Sequence, residues 1–185
     1  MGKIKYPFPV KLIVGLIFKD EEVLRMTKEK LIKRLGKMDF ESQLISFNFT
    51  TYYEKEMGEG LKRQFLSFEP LMKIENLPKI KIETNEVEKE FNFPNTPNRM
   101  VNIDPGYVAP EKLILATTKN YDHRPYLDNG IYAELTYRFY KGSFRTFEWT
   151  YPDYKSPESI EIFNEIRKIY MKQLRAAQQK ECITQ

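Results

Sequence analysis

Residues 102–140 read NIDPGYVAPEKLILATTKNYDHRPYLDNGIYAELTYRFY and hold the only histidine of the chain, His123. The last ten of them decide the fold. Ile131, Ala133, Leu135, Tyr137 and Phe139 alternate with Tyr132, Glu134, Thr136, Arg138 and Tyr140, and a period of two is the signature of a β-strand with two unlike faces. Lys141-Gly142 then turns the chain back into a partner strand, Phe144 to Trp149. Upstream, Arg99 to Ile103 reads as a strand ended by an Asp104-Pro105-Gly106 turn. Pro110 suits the first turn of a helix, and Leu113, Ile114 and Ala116 give EKLILATTK a buried face, so this segment is predicted to be a central helix. Residues 121–130, with Pro125 and Asp128-Asn129-Gly130, read as loop.

Working outward, Val10 to Phe18 is an apolar, β-branched run and reads as a buried strand. Asp20 offers an N-cap, Val23, Leu24, Thr27, Leu31 and Leu35 repeat at helical spacing, and Gly36 supplies the stop. Loose alternation over 43–53 and 61–69 around EKEMGEG predicts a hairpin. Leu77, Ile80, Thr84, Val87 and Phe91 predict a second helix, and FPNTPNR a surface loop. Ser156-Pro157 opens a final helix whose core stripe is Ile160, Phe163, Ile166, Tyr170 and Leu174. The order strand-helix-hairpin-helix-strand-helix-hairpin-helix implies an α+β fold. We expect a mixed, mostly antiparallel sheet with helices packed mainly on one face, an elaborated ferredoxin-like core. Residues 1–175 form one domain on this reading, and 176–185 are a frayed tail.

Composition narrows the function classes. Thirty Lys and Arg against 26 Asp and Glu, a net +4, is too even a balance to argue for nucleic acid by itself. The longest apolar run, Leu12 to Phe18, is far short of the roughly 20 residues of a membrane span, so no membrane association is expected. The single cysteine, Cys182, excludes a disulfide framework and a cysteine-based metal cluster within one chain, and a cytoplasmic location is expected. The phosphate-loop, dinucleotide, nucleophile-elbow and zinc-helix motifs are all absent from the sequence. No metal site is assigned; Asp104, Glu134 and Asp122 are the oxygen ligands a Mg²⁺ ion could use. No cofactor and no oligomeric state follow from the sequence.

Chemistry-bearing residues cluster in the quoted stretch. His123 has the side chain best suited to acid–base work near neutrality, with Glu134 and Asp104 as companion carboxyls. Arg124 can clamp a phosphate or carboxylate, and Lys119 is a further anion contact. Lys62 and Arg63 follow the hairpin loop, near Tyr53. The plain structural readings stand beside these: a loop histidine bonded to backbone, a lysine favoured by a helix C-terminus, a solvated hairpin end.

The blocks YYEKEMGEGLKRQFLSFEPL, NIDPGY, KLILATTK, HRPYL, GIYAELTY and WTYPDY together resemble the small prokaryotic proteins of domain-of-unknown-function family 4416, over nearly the whole chain. The resemblance implies no activity. It implies that Tyr53, Glu54, Lys62, Arg63, Asp104, Gly106, Tyr107, Lys119, His123, Arg124, Glu134, Trp149 and Asp153 are signature residues, which adds Tyr107 to the ligand-binding candidates. The expected function is binding or turnover of a small anionic ligand, phosphorylated or nucleotide-like, in a cleft formed by the Asp104 turn, the His123-Arg124 loop and Glu134. One alternative is an RNA-binding module that uses Tyr132, Tyr140 and Arg138 on one strand face. Another is a structural protein-interaction domain.

Overall fold

The segment VKLIVGLIF is buried along its whole length because the strand it forms, β1 (Val10–Phe18), is covered on both faces. A computed structural model describes residues 2–183 of the chain, with side chains as far as Gln179. After β1 come α1 (Glu21–Leu35), β2 (Met38–Glu41), β3 (Ile45–Ser46), a short α2 (Glu54–Met57), β4 (Lys62–Met72) and α3 (Leu77–Lys89). They are followed by β5 (Val101–Val108), β6 (Lys112–Thr117), β7 (Tyr126–Asp128), β8 (Ile131–Tyr140), β9 (Ser143–Thr146) and α4 (Pro157–Ile183). All nine strands join one antiparallel sheet in the order β2-β4-β1-β5-β6-β8-β7, with β3 added to β4 and β9 to β8. The path β2-β4-β1-β5, with α1 and α3 as its crossovers, is the split β-α-β order of a ferredoxin-like core, which β6 to β9 extend.

Local signals explain the helices. The Asp20 carboxylate accepts from the backbone N–H groups of Glu22 at 2.7 Å and Val23 at 3.3 Å, and α1 stops at Gly36, whose φ of 97° suits only glycine. Leu24, Leu31, Leu77, Ile80 and Val87 of α1 and α3 pack on Leu12, Val14, Leu16 and Ile103. On the opposite face, Phe163, Ile166, Tyr170 and Leu174 of α4 pack on Ile13, Phe65, Leu113 and Tyr137. Two long helices thus cover one face and α4 the other, while the short α2 packs through Met57 on Ile17, Phe47 and Leu61. Ser156 Oγ accepts from the Ser159 N–H at 3.1 Å and caps α4. Thr184 and Gln185, the end of the tail expected to fray, lie outside the described residues.

Several sequence readings are corrected. EKLILATTK is strand β6, not a helix; Leu113 and Leu115 face α4 while Ile114 and Ala116 face the other layer, so burial on both sides erased the period of two. Asp104-Pro105-Gly106 is the interior of β5, not a turn. The expected strand over 43–53 shrinks to β3 and gives way to α2, and β2 was not anticipated. A bulge in β8, where Leu113 pairs Tyr137 but Ile114 pairs Leu135, swaps the faces of the strand. Tyr132 and Glu134 therefore face the α4 side, whereas Arg138 and Tyr140, flanking the inward-facing Tyr137 and Phe139, face the other. Tyr132, Arg138 and Tyr140 do not share one face.

Candidate functional site

The site begins with a fault in the sheet. β5 pairs β1 along its whole length but pairs β6 only from Gly106 to Val108. Pro105, with no N–H to offer a ladder, sits next to the parting point. At that point the strands touch: a Cβ on Gly106 would lie 2.3 Å from the Ile114 carbonyl oxygen. Beyond it the chains diverge, and Asn102 and Asp104 on one side and Ala116 and Thr117 on the other border a cleft.

The cleft has two adjoining chambers that share Tyr53, Asp104, Lys119 and Tyr151. One, of about 360 Å³, lies against α3 and is lined by Lys81, Glu88, Lys89 and Arg99. The other, of about 350 Å³, lies on the α4 side and is lined by Arg63, Leu115, Glu134, Asp153 and Tyr154. Both sizes fall in the range of small-molecule sites.

Arg63 is the centre of the second chamber. Its side chain is 2% exposed, with Nη1 3.6 Å from Asp104 Oδ2 and Nη2 3.3 Å from Asp153 Oδ2. The guanidinium lies 4.8 Å and 4.9 Å from the ring centres of Phe65 and Tyr154. Nε and Nη2 nevertheless have no hydrogen-bond partner among the described residues, and neither does the Tyr154 hydroxyl. Gly15 makes room for both: a Cβ there would stand 2.8 Å from Arg63 Nη2 and 2.9 Å from the Tyr154 hydroxyl. Gly15 of β1 is thus the floor under two buried donors.

On the far wall, Glu134 is fully buried. Its Oε2 accepts from Arg124 Nε at 2.8 Å, and Arg124 also donates to the Tyr151 hydroxyl at 2.7 Å and the Lys119 carbonyl at 3.2 Å. Glu134 Oε1 has no hydrogen-bond partner among the described residues. His123 stacks between Tyr121 and Trp149, with Nε2 3.9 Å from Glu134 Oε2 and Nδ1 3.0 Å from Asp122. His123 and Arg124 therefore back Glu134 rather than line the cleft.

The α3-side wall is a chain of polar contacts. Arg99 holds Glu56 of α2 through Nε at 2.6 Å and Nη2 at 2.8 Å, and its Nη1 reaches Glu88 and Asn102, each at 2.9 Å. Asn102 donates to Asp104 at 2.7 Å, and Lys81 donates to the Ile103 carbonyl at 2.8 Å. Lys119 differs from these cations. Its Nζ donates to the Tyr52 hydroxyl at 3.1 Å and pairs with no carboxylate among the described residues.

Burial pushes the Glu134 carboxyl above its ordinary pKa, against the pull of Arg124 and His123. Burial does the same to Asp153 against the pull of Arg63, with Asp104 adding to the rise. Carboxyls tuned upward in a cleft can give and take protons nearer neutrality than surface acids, which suits acid–base chemistry.

The structure brings Asp104, Glu134, Lys119, Arg63 and Tyr53 to one cleft. Tyr107 lies in the core on the α1–α3 side, and Lys62 sits outside on Glu21. Asp122 is 96% exposed, and among the described residues no three His, Cys, Asp or Glu side chains are placed to hold a metal ion. Lys81, Glu88, Arg99, Asn102 and Gly15 escaped the sequence reading as site residues. One signal was present: Lys81 and Glu88 fall on the same helical stripe as Leu77 and Thr84, so two charges stood on an inward face.

No described helix is long and apolar enough to cross a membrane. The family described as domain of unknown function DUF4416 matches residues 8–170. No curated protein and no solved structure matches the chain.

Proposed function

The chain belongs to the DUF4416 family, which supplies no activity, and we propose from the geometry that its cleft binds a small organic anion, with a phosphate or carboxylate seated in the α3-side chamber. The carrying observation is Lys119, an ammonium at the junction of both chambers that meets the hydroxyl and ring of Tyr52 but no carboxylate among the described residues. Around it, Lys81, Lys89 and Arg99 are matched by Asp104, Glu86, Glu56 and Glu88, so Lys119 is the cation left over for an anion. The second chamber, walled by Ile17, Phe47, Leu115 and tyrosines, suits the organic body of the ligand. The carboxyls of Glu134 and Asp153 add a proton-exchanging wall.

The test is isothermal titration of the full chain with ribose 5-phosphate and related phosphorylated compounds at low salt, with thermal shift alongside. Binding that weakens at least tenfold in Lys119→Ala and is unchanged in Lys62→Ala supports the reading. The absence of any binding, or equal losses in the two variants, overturns it.

A further inference from the structure

The second chamber carries more information than its apolar walls suggest. Four buried polar atoms in it lack a hydrogen-bond partner among the described residues: Arg63 Nε and Nη2, the Tyr154 hydroxyl and Glu134 Oε1. Stranded groups of this kind are costly, and few are expected in a folded chain. They are also sorted by type. The donors are neighbours over Gly15, where an added Cβ would stand 2.8 Å from Arg63 Nη2 and 2.9 Å from the Tyr154 hydroxyl. The acceptor, Glu134 Oε1, stands on β8 across β5 and β6. Tyr151 spans the interval: its ring centre is 6.4 Å from that of Tyr154, and its hydroxyl accepts from the Arg124 guanidinium that holds Glu134.

Building on the proposed anion site, we propose that the second chamber recognises a flat polar heterocycle, which accepts at one edge from Arg63 and Tyr154 and donates at the other to Glu134. The anionic ligand is then a ring-bearing phosphate of the nucleoside monophosphate class. The tyrosine walls give such a ring faces to stack on. A sugar phosphate offers no flat face for the tyrosines to stack on, and an apolar aromatic leaves the buried groups unpaired, which a polar site penalises heavily.

The test is isothermal titration of the full chain with AMP, GMP, CMP and UMP against ribose 5-phosphate and phenyl phosphate. At least one nucleotide binds ten or more times tighter than both comparison compounds. Tyr154→Phe lowers that nucleotide's affinity about three- to tenfold, the worth of one hydrogen bond, and leaves ribose 5-phosphate unchanged. Because it deletes a buried hydroxyl without a partner, Tyr154→Phe leaves the melting temperature of the free protein equal or higher. Glu134→Gln, which keeps the shape of the side chain, gives the same selective loss.

Equal binding of all six compounds overturns the heterocycle assignment while the anion site stands. So does a nucleotide preference untouched by both variants, or a sharp fall in melting temperature in Tyr154→Phe. No binding of any of the six overturns both proposals.

Discussion

Arg63 Nη2 stands 3.3 Å from Asp153 Oδ2, close enough to pair by charge, yet the geometry forms no hydrogen bond between them. A buried pair of this kind is weak evidence for stability, because desolvation offsets the attraction, but removing one partner strands the other. Arg63→Met is therefore expected to cost about 3–5 kcal/mol at neutral pH. Adding Asp153→Asn in the same chain should restore part of that loss. Urea unfolding of the two variants measures both steps; a single variant as stable as wild type would show that Arg63 does not hold the carboxylates.

The pH dependence has a definite sign. The folded-state pKa values of Glu134 and Asp153 are raised by burial above their ordinary 4.5 and 3.8. The stability tied to each group is fully present below the unfolded value and is lost as pH rises through the folded one. Asp153→Asn, which cannot ionise, should therefore gain on wild type between about pH 4 and neutrality. Denaturation midpoints of both proteins across that span test this, and a relative stability that falls with rising pH would contradict it.

Two glycines are held by contact rather than by turn geometry. Gly15→Ala forces Arg63 or Tyr154 to move and is expected to cost about 1–3 kcal/mol, as overpacking does. Gly106→Ala meets a backbone oxygen at 2.3 Å, which cannot swing away, so it should cost more than Gly15→Ala. Gly2→Ala, with nothing within 4 Å, is the control and should leave the melting temperature unchanged. Gly106→Ala behaving like Gly2→Ala would mean that β5 and β6 are not pinched together at this point.

How much of this the sequence disclosed depended on whether a residue's role was local. Asp20, Gly36 and the stripe of α1 act within their own helix, and so could be read. The strand β8 declared itself through alternation, but its bulge is set by pairing with β6, and nothing in ELTYRF marks it. β6 was misread because burial on two faces leaves a continuous apolar run, which periodicity cannot tell from a helix. The Asp104 segment was misread because Asp-Pro-Gly favours a turn locally, and only its neighbour β1 holds it extended. For the candidate site, Asp104, Glu134, Lys119, Arg63 and Tyr53 were singled out and stand together. Gly15, Asn102 and Lys81 gain their meaning from chain segments far away in sequence, so no motif announced them.

Arg124 was expected to meet ligand, and it instead spends its donors on Glu134, Tyr151 and the Lys119 carbonyl. Arg124→Ala should therefore destabilise the fold by several kcal/mol by leaving Glu134 buried and unpaired. Arg124→Ala with Glu134→Gln should recover much of this. A fully stable Arg124→Ala, by urea unfolding, would contradict that account.

The central claim is that the gap between β5 and β6 is a ligand site. Its most direct test is an NMR titration of the labelled full chain with ribose 5-phosphate. Resonances of Asn102, Thr117 and Lys119, which border the gap, should shift together with one saturating isotherm, while those of Lys62 and Tyr107 stay in place. Shifts confined to Lys62 and other surface lysines, or no shifts at all, would contradict it.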